Sequence, residues 1–186
     1  WLWTTPNTFV ATANCALYCG ANVDFVDIDS STYNLCPQAL EHKLIQAERE
    51  GRLPKIVVPV HFAGQACDMH ALSRLSARYG FKIIEDASHA LGGKYNGQPI
   101  GNCEYSEATI FSFHAIKIIT SGEGGMVVTN NAPLAEQINL LRSHGITRNE
   151  ELMISPSPGE WYYQQLLLGF NYRMTDIQAA LGLSQL

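Results

Sequence analysis

Five lysines occur in this 186-residue chain, and one of them, Lys117, stands in the stretch "SFHAIKIITSGEGG" (112–125). Ala115, Ile116, Ile118 and Ile119 flank it, and Gly122, Gly124 and Gly125 follow. An ammonium among apolar neighbours gives up its proton more readily than one in water. The neutral amine is the form that condenses with a carbonyl. Asp86 closes the apolar run "FKII" within "ED". A carboxylate at the carboxyl end of a strand either caps the next turn or pairs with a ligand cation. The second role has a definite chemistry. If Lys117 holds pyridoxal phosphate, the pyridine nitrogen needs a carboxylate to stay protonated, because only the pyridinium is a strong electron sink.

Other residues admit two readings each. Ser112 and the "SGEGG" turn offer a hydroxyl and free backbone N–H groups, which suit a phosphate. A glycine turn is also simply a turn. His89, three residues after Asp86, and His114, three before Lys117, are either satisfied structural histidines or site groups. Phe9, in "PNTFVAT", is either core or a ring that stacks on a planar ligand. The six histidines and five cysteines show no zinc spacing, so no metal is expected. Neither G-x-G-x-x-G nor G-x-x-x-x-G-K-[ST] is present, which argues against dinucleotide and P-loop sites.

The elements that position these groups can be read from pattern. "WLWTTP", "VDFVDID", "KIVVPVHF", "FKIIEDA", "ATIFSF" and "GMVVTN" read as strands. Between them, "TFVATANCALYCG" closes on Gly20, and "CPQALEHKLIQAEREG" runs from Pro37 to Gly51 as a helix. "DMHALSRLSARYG" runs from an Asp68 N-cap to a Gly80 C-cap. "PLAEQINLLRSHG" is a further helix, residues 146–168 an excursion, and "TDIQAALGLSQL" a helix reaching the last residue without a cap. Apolar strands alternating with helices predict an α/β fold, a mostly parallel sheet covered by helices on both faces. In such sheets functional groups gather beyond the strands' carboxyl ends. There "VHFAGQ", "EDASHA" and "SFHAIK" are expected to converge on one crevice.

Composition excludes some function classes. The formal net charge is −5 with no basic cluster, so nucleic-acid binding has no electrostatic support. No apolar run approaches the roughly 18 residues of a membrane span. Five cysteines without C-x-x-C spacing suggest reduced thiols. The expectation is a cytoplasmic protein. The first and last segments read as elements under way, so the chain is expected to be a fragment of a longer one.

"EDASHALGGKYNGQPIG", "SFHAIKIITSGEGGMVVTN", "RSHG" and "GFNYRMTDIQAALGLSQL" together resemble the DegT/DnrJ/EryC1/StrS sugar aminotransferases, over nearly the whole chain. The resemblance implies the large domain of a fold-type I pyridoxal-phosphate transferase. It lacks the family's upstream phosphate loop and smaller C-terminal domain. By position, Lys117 is implied to carry the cofactor and Asp86 to pair with its pyridine nitrogen. His89 is implied near the phenolic oxygen, Ser112 at the phosphate, and Phe9 stacked on the ring. Asn171 is implied to reach the phosphate of a neighbouring subunit, hence a homodimer with shared active sites. "TTPNTFVATANCALYCGANVDFVDID", "VPVHFAGQACDM" and "RSHGITR" resemble the branch serving pseudaminic acid synthesis. That branch implies a UDP-linked 4-keto-6-deoxy sugar and L-glutamate as substrates. Relatives that are 3-dehydratases carry histidine in place of the lysine, and Lys117 argues against them. A different nucleotide keto sugar, or a non-catalytic regulator on the same fold, is the alternative.

Overall fold

A computed structural model describes residues 1–186. Six strands form the main sheet: β1 (Leu2–Thr4), β2 (Val23–Phe25), β3 (Ile56–Val58), β4 (Lys82–Asp86), β7 (Ala108–Ser112) and β8 (Gly125–Val128). Their order is β2-β1-β3-β4-β7-β8. All neighbours are parallel except β7 and β8, which are antiparallel. Two minor hairpins, β5 (Lys94–Tyr95) with β6 (Gln98–Pro99) and β9 (Ile146–Thr147) with β10 (Gln164–Gln165), lie outside it. The second pair and a short 3-10 turn (Glu150–Leu152) give the 146–168 excursion some structure of its own.

The helices are α1 (Ala11–Tyr18), α2 (Pro37–Arg49), α3 (Met69–Tyr79), α4 (Ala132–Arg142) and α5 (Asp176–Leu183). Their limits follow local chemistry. Asp68 accepts the Ala71 N–H at 3.1 Å, and Gly80 takes the left-handed conformation that ends α3. Pro37 opens α2, where its missing N–H costs nothing. The last helix differs from expectation. It stops at Leu183 rather than at the final residue, and a capping box between Thr175 and Gln178 starts it.

Strand side chains alternate between faces, and the core divides accordingly. Trp3, Val57 and Ile83 join Leu40, Leu44, Leu72 and Leu75 in the main cluster, under α2 and α3. Leu2 and Val58 turn to the other face and pack with Ala16 of α1. Helices thus lie on both faces, as expected, but the cover is incomplete. Ile110 and Val127, opposite each other on β7 and β8, are 39% and 42% exposed, and α4 and α5 bury no residue. No helix is long and apolar enough to cross a membrane. All five cysteines are free.

Leu40 and Leu44 are fully buried. Leu44→Ala is expected to destabilise the fold by about 2–5 kcal/mol, through lost transfer energy and the cavity left behind. Urea unfolding at constant m-value measures this.

Candidate active site

Asp86 is the last residue of β4, and its half-buried carboxylate faces the same side as α1. Its Oδ2 accepts the Thr12 hydroxyl at 2.8 Å. Its Oδ1 accepts the Ser88 hydroxyl at 2.6 Å and the Ser88 N–H at 3.1 Å. Thr12 is steadied in turn by Thr8, hydroxyl to hydroxyl at 2.8 Å. A carboxylate has about four acceptor positions. Three are used here, and one remains for an outside donor.

The residue before Asp86 explains why Asp86 faces the crevice. Glu85 is buried on the opposite face, where its carboxylate accepts from His61 Nε2 at 2.8 Å, Thr109 Oγ1 at 3.1 Å and the Ser106 hydroxyl. The Cys67 N–H donates to His61 Nδ1, so Nε2 carries the ring proton. Of the segment "VHFAGQ", expected to converge on the crevice, the histidine is turned away from it. His61 is fully buried and ties the end of β3 to β4. Burial alone would raise the Glu85 pKa, but the hydrogen bonds from His61, Ser106 and Thr109 outweigh it and lower it.

His89 lies in the turn after β4, its ring edge-on to Phe62 with centroids 6.2 Å apart. The pKa of His89 is lowered, first by partial burial and then by the Lys117 ammonium, against an opposite pull from Asp86. His89 thus feels both charges. Its backbone is placed by a close approach: a Cβ on Gly64 would lie 2.9 Å from the His89 carbonyl oxygen. Gly64 also has φ +86°, so glycine is required there on two counts.

Ser112 ends β7 two residues beyond Ile110, the residue in register with Asp86, so both share one face. Its oxygen accepts the His114 N–H at 3.3 Å, which leaves its own proton free to donate. Lys117 sits at the tip of the 113–124 loop that joins β7 to β8. Its backbone N–H donates to the His114 carbonyl at 2.9 Å, and its half-buried side chain makes no hydrogen bond or ion pair within the chain. The apolar flanks do not enclose it: Ile116 and Ile118 are 82% and 71% exposed. The expectation of a desolvating shell made by sequence neighbours is corrected.

The glycines after Lys117 serve the turn. Gly122 has φ +77°, a Cβ on Gly124 would strike Ser121 and Met174, and Gly125 pairs with Ser112.

Phe9 is 76% exposed, which removes the core reading. Its carbonyl accepts the Thr12 N–H, which places it one turn from the Asp86 partner. Asn171 is not brought to the group. It is exposed and bridges to Ser143 beyond α4. The structure thus gathers Asp86, His89, Ser112 and Lys117 at the carboxyl ends of β4 and β7, with Phe9 beside them. Thr12 and Ser88 were missed by sequence reading. The Asp-x-Ser spacing of a side-chain turn signalled Ser88. Nothing local signalled Thr12.

The donor set fits pyridoxal phosphate: one spare acceptor position on Asp86, one free hydroxyl proton on Ser112 and one unpaired primary amine. The mostly parallel α/β sheet is that of the pyridoxal-phosphate aminotransferases that are its structural neighbours. The chain belongs to the DegT/DnrJ/EryC1/StrS aminotransferase family, whose profile matches residues 2–186. Enzymes of this family depend on pyridoxal phosphate.

It is 42% identical over 183 residues to a UDP-4-amino-4,6-dideoxy-N-acetyl-beta-L-altrosamine transaminase of Campylobacter jejuni, covering 98% of this chain and 45% of that protein. It is 40% identical over 179 residues to the GDP-perosamine synthase of Caulobacter vibrioides, covering 96% and 43%. Helicobacter pylori PseC, an aminotransferase involved in the biosynthesis of pseudoaminic acid, superposes with a TM-score of 0.84 at 38% identity, over 99% of this chain and 45% of that one. The chain spans about half the length of the curated relatives it matches.

Because the Glu85 pKa is lowered on folding, its contribution is present above the unfolded value of 4.5 and is lost as pH falls through the folded value. Unfolding free energy is therefore expected to drop on acidification below about pH 4.5. Glu85→Gln is expected to flatten that drop and to cost about 1–3 kcal/mol at pH 7. Urea titrations at several pH values measure both.

Proposed function

We propose that this chain is most of the cofactor-binding large domain, without its N-terminal phosphate loop and C-terminal small domain, of an aminotransferase for a nucleotide-linked 4-keto-6-deoxy sugar. The observation that carries the reading is the sharing of one face by Asp86 and Ser112 at the ends of two adjacent parallel strands, with the Lys117 loop leaving the second. The amino donor is L-glutamate. The acceptor is of the UDP-4-keto-6-deoxy-N-acetyl-beta-L-altrosamine type, of the pseudaminic acid route. The altrosamine transaminase and PseC support that sugar. The GDP-perosamine synthase, nearly as similar, makes another nucleotide keto sugar the alternative.

Bound here, pyridoxal phosphate supplies an electron sink for the negative charge that develops at the donor's α-carbon. The chain's residues do the rest. Asp86 keeps a proton on the ring nitrogen, and Thr12 and Ser88 hold its carboxylate in place for that bond. Ser112 donates to the phosphate. His89, with its lowered pKa, is neutral at pH 7 and suits a hydrogen bond to the phenolic oxygen. The exposed ring of Phe9 stacks on the cofactor. Lys117 tethers the cofactor through its amine and, as a free amine, carries a proton from the donor's α-carbon. Asn171 serves the phosphate of a second subunit in a homodimer, a role its exposure allows. The work is done in the cytoplasm.

In the full-length protein, Lys117→Ala is expected to abolish the bound-cofactor absorbance change on adding glutamate. Amination across a panel of UDP-, dTDP- and GDP-4-keto sugars, read by mass spectrometry, should vanish with it. Retained turnover refutes the assignment. Asp86→Asn is expected to keep some cofactor but to lose about 10²-fold or more in kcat, since the ring nitrogen then lacks its charged partner. Stopped-flow absorbance measures that loss.

A further inference from the structure

The Lys117 loop has few connections to the rest of the molecule. Phe113 and Gly124 close its base through the Phe113 N–H and the Gly124 carbonyl, and the Ser121 N–H returns to the Phe113 carbonyl. The Thr120 hydroxyl donates to the same Phe113 carbonyl at 3.2 Å and accepts the Gly122 N–H at 2.9 Å. All of these stay within the loop. Apart from the His114 N–H, which returns to Ser112, the hydrogen bonds that leave it reach two residues flanking α5, 53 and 65 positions further along the chain.

Gln185 makes the stronger link. Its Oε1 accepts the Thr120 N–H at 3.1 Å, and its Nε2 donates to the Thr120 carbonyl at 2.6 Å. One planar amide thus satisfies both backbone groups of one residue, as a neighbouring strand would. Only a side chain with donor and acceptor side by side does this, so Gln and Asn qualify and Glu and Leu do not. The Gln185 Nε2 also donates to the Leu181 carbonyl at 2.7 Å, which anchors the amide to its own helix. At the same contact the Ser121 hydroxyl meets Met174 Sδ at 3.6 Å, and Met174 occupies the space a Cβ on Gly124 would need.

We infer that Gln185 is a positioning residue for Lys117: it docks α5 on the Thr120 peptide and so fixes the loop whose tip carries the reactive amine. This rests on Lys117 being that amine. Thr120 lies three residues after Lys117, and its peptide is the point where the helix docks on the loop. Without the clamp, the stretch 114–119 is held only by its own local bonds. The amine would then sample more positions relative to Asp86 and His89, and productive orientation is where such freedom is costly.

The test uses the full-length protein with Gln185→Glu and Gln185→Leu. The first keeps the shape and loses the donor, and the second loses both partners. In cofactor-free protein, amide exchange at Thr120–Gly122 is expected to quicken about tenfold in both variants, with exchange in β4 unchanged. Borohydride trapping of pyridoxal phosphate on Lys117, located by peptide mass spectrometry, is expected to slow. The kcat should fall more than KM rises. Unchanged exchange in the loop overturns the inference, and so does a rise shared equally by β4 and α3, which would mark Gln185 as a general stability residue. Failure of the unsubstituted protein to trap cofactor on Lys117 overturns the functional reading, and the exchange result still decides the clamp.

Discussion

The arrangement of the site depends on one buried hydrogen-bonded pair. Glu85 and His61 meet beneath the sheet, and Thr109 and Ser106 complete the carboxylate's hydrogen bonds. Neighbouring residues on a strand face opposite sides, so fixing Glu85 downward fixes Asp86 upward. A slip of one residue would bury Asp86 and expose Glu85, leaving the His61 donor without its acceptor. The pair therefore selects the register of β3, β4 and β7 together, beyond what their apolar side chains select. Desolvating a carboxylate is costly, and the three hydrogen bonds it accepts offset that cost.

From this register the remaining site geometry follows in steps. Asp86 emerges toward α1, where Thr12 is positioned to meet it. Ser112 emerges on the same face one strand over. The chain then leaves the parallel sheet in an antiparallel excursion, β7 to β8, whose connecting loop carries Lys117. Gly64 lets the β3–α3 connection press close behind His89. Each of these is a short-range consequence of where the strands end.

Much of this was legible in the sequence, for a physical reason. Strand ends and helix ends are marked locally: Gly20, Gly51 and Gly80 all take positive φ just past their helices, and Pro37 and Asp68 open theirs. Once the ends are known, Asp86 and Ser112 fall at the carboxyl edge without further information. What was not legible depends on contacts distant in sequence. Thr12 meets Asp86 across 74 positions, and nothing near Thr12 announces it. His61 stands just past a strand's carboxyl end, but its partner, 24 positions away, turns it to the opposite face, and no local pattern announces that partner. The isoleucines around Lys117 misled in the opposite sense, since adjacency along a turn is not enclosure in space.

The antiparallel excursion also bears on the order in which the site assembles. Ser112 and Gly125 are paired across a loop of a dozen residues, whereas Thr4 meets Val58 across 54 positions. Closure entropy grows with the logarithm of loop length, so the second closure costs about 1 kcal/mol more than the first. Hairpins form within microseconds, well before long-range parallel pairing is complete. The pairing that closes the lysine's loop is thus the more local of the two, whereas Asp86 acquires its setting only when β3, β4 and α1 have found one another.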